Sequence, residues 1–141
     1  MLDDRGQVSF EYIMIFTISL IILIIFTLPL THVAIDDTLD VSDSMGVKSD
    51  LSKLSVAIKE VYGQGQGSKK EVSLHESKKI KLTITKGYVS CDLKLKDKTK
   101  RTIKQNYNSN LEKSSITLKK GENIIVVEWP EGSEKMEIYR K

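Results

Sequence analysis

Hydrophobic positions fall into three regimes along the chain. From Ile13 to Leu30 the residues read IMIFTISLIILIIFTLPL, 18 positions without a charge. As a helix at about 1.5 Å per residue this run is roughly 27 Å long, close to the hydrocarbon thickness of a bilayer. Apolar side chains on every face place it in lipid or in a protein core of equal dryness. From Thr31 the pattern becomes one-sided. Val47, Leu51, Leu54, Ile58 and Val61 are spaced 4, 3, 4, 3, a helical stripe, with Lys48, Asp50, Lys53 and Lys59 assigned to the opposite face. These two regimes predict one long helix over 7–62, apolar over 13–30 and amphipathic over 31–62. Pro29 has no N–H for the carbonyl of Ile25, so a kink or loosening is expected there, with Thr27 and Thr31 placed to satisfy freed groups. Gly46 is a second weak point. The helix is expected to stop at Gly63, with 63–70 a glycine-rich C-cap and flexible connector.

Beyond the glycines the period drops to two. Val72 and Leu74; Ile80, Leu82 and Ile84; Val89, Cys91, Leu93 and Leu95; Ile116 and Leu118; and Met136 and Ile138 alternate with polar residues. These are half-buried antiparallel strands. Lys86-Gly87, Lys120-Gly121 and Asp97-Lys98 mark turns. Asn123 to Trp129 is apolar at consecutive positions and predicts the central strand, whereas Thr99 to Asn110 suits an edge strand or a loop. The fold class is therefore α+β: a long N-terminal α-helix and, over 71–141, an antiparallel sheet of five to seven strands wrapped on the helix's C-terminal half.

Charge divides the chain the same way. The 141 residues are 40% hydrophobic and 29% charged, enough for one compact domain plus a membrane segment. A net charge of +3 conceals −3 between Asp36 and Glu60 and +8 from Gly63 to Lys141. An acidic stalk thus carries a basic head. The single cysteine, Cys91, excludes an internal disulfide and suits an inert buried thiol. The N-terminus lacks the basic start, short apolar core and small-x-small cut site of a secretory signal, so the apolar segment is expected to be retained. Arg5 precedes the run and Asp36, Asp37, Asp40 and Asp43 follow it, which predicts a cytoplasmic N-terminus and an external head.

The polar stretch before the apolar run is the most specific feature. Gly6-Gln7-Val8-Ser9-Phe10-Glu11-Tyr12 resembles the class III signal peptide of archaeal type IV-like pilins, whose core is G-Q-x-S-x-E-[YF]. The resemblance implies removal of a 1–6 leader by a class III prepilin peptidase cutting between Gly6 and Gln7, with Arg5 as the basic residue before the cut. It also implies a pilin-like lollipop that is stored in the membrane and then extracted by an assembly ATPase and membrane platform. The product is a helical filament of identical subunits outside the cell, serving adhesion or surface attachment. Ile13, Phe16, Leu20, Leu23, Phe26 and Pro29 then belong to the filament-core helix. Val61 to Lys69 resembles the family's junction between helix and head.

Elementary physics points the same way at Glu11. It lies one helical turn after Gln7, within reach of an amine freed there. Carrying an unpaired carboxylate into hydrocarbon costs several kcal/mol, so a partner is expected when helices bundle. Pairing with the Gln7 amine of an adjacent subunit would set axial register; a carboxylate wetted by lipid headgroups is the alternative.

Other motifs dissolve on inspection. Gly67-Ser68-Lys69 follows a helix and precedes a strand, the inverse of a phosphate loop. His32 and His75 are isolated, and no nucleophile elbow or zinc motif occurs. Neither an enzyme nor a cofactor or metal site is expected. Asp36, Asp37, Asp40 and Asp43 share one helical face, either solvated or meeting the basic head of another subunit. The head's lysines suit solubility first, with nucleic acid or an anionic surface polymer a weaker reading. Two other functions stay open: a monomeric membrane-anchored binding module, and a minor pilin or pseudopilin.

Overall fold

The computed structural model describes residues 4–96 and 98–141, with side chains from Ser9 onward. The aspartate of the expected Asp97-Lys98 turn and the first three leader residues lie outside them. Helix α1 spans Asp4–Gln64 and seven strands follow: β1 (Lys69–Glu76), β2 (Ile80–Ile84), β3 (Tyr88–Lys94), β4 (Lys100–Asn106), β5 (Ser114–Leu118), β6 (Gly121–Glu128) and β7 (Glu137–Arg140). The chain divides into two compact units, Met1–Leu39 and Asp40–Lys141.

In the first unit the helix continues through Pro29. Thr27 Oγ1 donates to the Leu23 carbonyl at 2.6 Å and Thr31 Oγ1 to Leu28 at 2.8 Å. Neither serves Ile25, contrary to expectation, because a threonine reaches back only three or four residues along its own helix. Thr17 likewise donates to the Ile13 carbonyl. These hydroxyls are satisfied within the helix and need no water.

The second unit wraps the amphipathic part of α1, which runs unbroken past Gly46. Val47, Leu51, Leu54, Ile58 and Val61 are all buried and join one core with Leu74, Leu82, Ile84, Val89, Leu93, Leu118 and Ile125. Full burial of each aliphatic side chain contributes about 1.5–3 kcal/mol. Every pairing is antiparallel, but the strands form two sheets, ordered β1-β6-β7 and β4-β3-β2-β5, not one. A helical stripe buried on both flanks can be covered by two sheets sharing one core with it. Arg140 Nη1 donates to the Thr117 carbonyl at 3.0 Å, tying β7 to β5. β1 and β4 are the opposite edges. β6 is central, as its apolar run predicts, and the ambiguous Thr99 to Asn110 segment contains edge strand β4.

The helix ends at Gln64, two residues beyond the expected last helical position, 62. Gly65 takes a left-handed φ of 86° and its N–H bonds the Val61 carbonyl at 3.1 Å, an αL cap. The connector is held, not the flexible tether its glycine content suggests. Gly67 N–H donates to the Trp129 carbonyl at 2.7 Å and Trp129 N–H to Ser68 at 2.9 Å. Trp129 stacks on Tyr62 with ring centroids 5.7 Å apart.

Candidate assembly surface

Arg5, Gly6 and Gln7 lie in the first turns of α1, and their side chains fall outside the described residues. Glu11 follows one turn later and is exposed. Ile13, Phe16, Leu20, Leu23 and Phe26 are between 43% and 68% exposed, and Pro29 is exposed as well. The segment is long and apolar enough to cross a membrane, and none of its apolar window is buried. So large an unpartnered apolar surface requires lipid or other apolar helices around it.

Two acids of the run, Asp40 and Asp43, are engaged by the head of their own chain. Asp40 Oδ2 accepts the Lys96 N–H at 2.9 Å. Asp43 accepts from Ser77 Oγ at 2.9 Å and from Lys78 Nζ at 2.8 Å. The hydrogen bond from Lys78 is the main cause holding the Asp43 carboxyl below its ordinary range. Acidic stalk and basic head do meet at these two residues, but within one chain.

Asp50 corrects the sequence reading outright. Assigned to the solvent face, it is 5% exposed. Its position, three residues after Val47 and four before Leu54, puts it on the buried stripe. It accepts the His75 N–H at 2.7 Å, capping β1's outer edge, and Lys53 Nζ at 2.7 Å. Beside it lies Glu76, 3% exposed. Burial first, then the charges of Asp50 and Asp43, push the Glu76 carboxyl up to about 7. Glu76 went unremarked in the sequence, yet it continues the inward parity of Val72 and Leu74 on β1. Cys91 is buried on β3, and burial pushes its thiol up to about 11.

Two clefts flank the open face of the amphipathic helix. One, of about 820 Å³, lies against β1 and includes Met45, Ser49, Ser52, Val56 and Lys70. The other lies against β4, with Val41, Met45, Lys48, Arg101 and Lys104. Lys104 Nζ sits 3.8 Å above the Tyr88 ring. Among the described residues no group of three or more His, Cys, Asp or Glu side chains is placed to hold a metal ion.

Residues 5–30 match the family model described as Class III signal peptide. That match supports a type IV pilin-like protein, a structural subunit of pilin or pseudopilin type, processed by a prepilin peptidase and handled by pilus assembly machinery. With the apolar helix it supports a membrane-anchored precursor and a surface filament. Neither a curated protein nor a solved structure gives a match to the chain.

Proposed function

We propose that the chain is the structural subunit of an archaeal type IV-like pilus used in adhesion or surface attachment. The carrying observation is the coincidence of the signal-peptide match over residues 5–30 with an apolar helix exposed on every side. The precursor sits in the membrane with its N-terminus cytoplasmic and its head outside. A class III prepilin peptidase cuts between Gly6 and Gln7, reading Arg5 and Gly6. The helix then leaves lipid for a bundle of its own copies, through Ile13, Phe16, Leu20, Leu23, Phe26 and Pro29. Little burial is lost in that exchange, because the bundle is about as dry as the bilayer it replaces. Glu11 enters the bundle paired with the freed Gln7 amine of a neighbour, which sets the axial register.

Mass spectrometry of the native protein tests the first step, with Gln7 as the expected N-terminal residue. Electron microscopy tests the second, with filaments expected from the cleaved chain. A chain isolated from cells as a monomer that still carries Met1 would falsify the reading.

A further inference from the structure

The two sheets of the head treat charge on their outer faces differently. On the β1-β6-β7 sheet Lys69 faces Glu128 across the ladder and pairs with it at 3.1 Å, and Lys141 reaches Glu71 at 3.1 Å. Ser73 Oγ donates to Glu122 at 2.6 Å. On the β4-β3-β2-β5 sheet Lys94 stands directly opposite Lys100. Just past the Ile80–Leu118 pair, Lys79 and Lys119 continue that row onto β2 and β5. All four lysines are exposed, and none has an ion pair among the described residues. With strands about 4.8 Å apart, the row sets out about 14 Å of unbalanced positive charge. Like charges directly opposite one another destabilise a sheet, so the row costs the fold something that the other sheet avoids.

We propose that the outer face of the four-stranded sheet binds an anionic polysaccharide along this lysine row, an inference that rests on the surface-attachment reading above and names what is gripped. Lys81 and Lys104 carry positive charge further up the face. Its one strand carboxylate, Asp92, is engaged by Thr102 Oγ1 at 2.6 Å. Thr83 stands between Ser90 and Ser115, a row of outward hydroxyls that make no hydrogen bond within the chain among the described residues. Such hydroxyls donate and accept, and they can exchange water for the hydroxyls of a sugar. A protein partner is disfavoured, because no aliphatic side chain points outward from these four strands to serve as an anchor. Nucleic acid is disfavoured as well. Lys104 Nζ lies 3.8 Å above the ring of Tyr88, the one outward aromatic, where a base would stack. A flat sheet face also has nothing to place in a duplex groove.

The test uses the full chain, in filaments or in detergent, with alginate as the polyuronate probe and neutral dextran as its uncharged counterpart. The wild type is expected to bind alginate and not dextran, with affinity falling as salt rises. Lys94→Gln with Lys100→Gln is expected to weaken alginate binding about tenfold or more. The same change removes a like-charge pair, so the melting temperature is expected to equal or exceed that of the wild type. Lys79→Gln with Lys119→Gln, outside the paired strands, is expected to give a comparable loss without touching the ladder. Lys48→Gln with Lys59→Gln, an equal loss of charge on the helix, is expected to alter binding by less than about twofold. Alginate binding unmoved by either sheet pair, or weakened as much by the helix pair, overturns the proposal. Tighter binding of double-stranded DNA, oligothymidylate or phosphatidylglycerol vesicles than of alginate overturns it too. Filaments that ignore alginate refute the binding face alone, whereas unprocessed wild-type monomers that bind it refute the filament reading alone.

Discussion

Glu76 is a carboxylic acid on a strand whose other inward positions are hydrophobic, with Asp50 and Asp43 for neighbours. Its carboxyl titrates near 7 in the folded head, against an ordinary value of 4.5. Between those values the folded chain holds a proton that the unfolded chain has released. Stability therefore falls as pH rises from about 4.5 to about 7, by at most on the order of 3 kcal/mol. Glu76→Gln, which cannot ionise, is expected to flatten that decline and to be the more stable protein at pH 8. Thermal melts of the full chain in detergent across this range check both statements. A wild-type melting temperature that climbs from pH 5 to pH 7 would contradict the argument.

At the scale of elements, the amphipathic helix has two faces with different duties. Leu54 is fully buried, so Leu54→Ala removes core packing at a cost of about 2–5 kcal/mol, read in a denaturant titration. Val56, 46% exposed, belongs to the open face, and Val56→Ala is expected to shift the same titration by under about 0.5 kcal/mol. The helix end gives a second contrast. Gly65 has a φ of 86°, so Gly65→Ala costs about 1 kcal/mol through backbone strain although the space beside it is open. Gly63 is helical with equally open surroundings, and Gly63→Ala is expected to be neutral or slightly stabilising.

The legibility of these elements follows the range of the forces that form them. Spacings of 4, 3, 4, 3 and strict alternation are local, so the helical stripe and the inward faces of β1, β2 and β3 could be read directly. Strand partners are not local. β1 pairs with β6 across some fifty intervening positions, and nothing in the alternation tells one sheet from two. Asp50 and Glu76 obey the local period but break the rule that polar means outward: the His75 N–H and Lys53 serve Asp50, and burial keeps a proton on Glu76 up to about pH 7. The cap moved from Gly63 to Gly65 because both are glycine and only the three-dimensional path selects which takes the positive φ. At the candidate assembly surface the positions of Glu11 and the apolar run could be read from the chain, while nothing local to the sequence says what covers them.

The whole molecule must be stable in two surroundings, lipid and filament, and Glu11 is the one acid within its signal-peptide match beyond the leader. Glu11→Gln removes the charge while keeping the side chain's size. It is expected to leave membrane insertion and leader cleavage intact and to reduce filament yield severely, measured by shearing and weighing filaments against precursor in the membrane. Normal filament yield from that variant would dismiss the pairing with Gln7.

The lone thiol has a practical corollary. Packed inside the head and reluctant to ionise, Cys91 is shielded from alkylating reagents while the domain stays closed. Its modification rate becomes a built-in gauge of how far the strands open away from the helix. Comparing that gauge in dispersed subunits and in the polymer would reveal how firmly neighbours clamp each head shut, without altering a single residue.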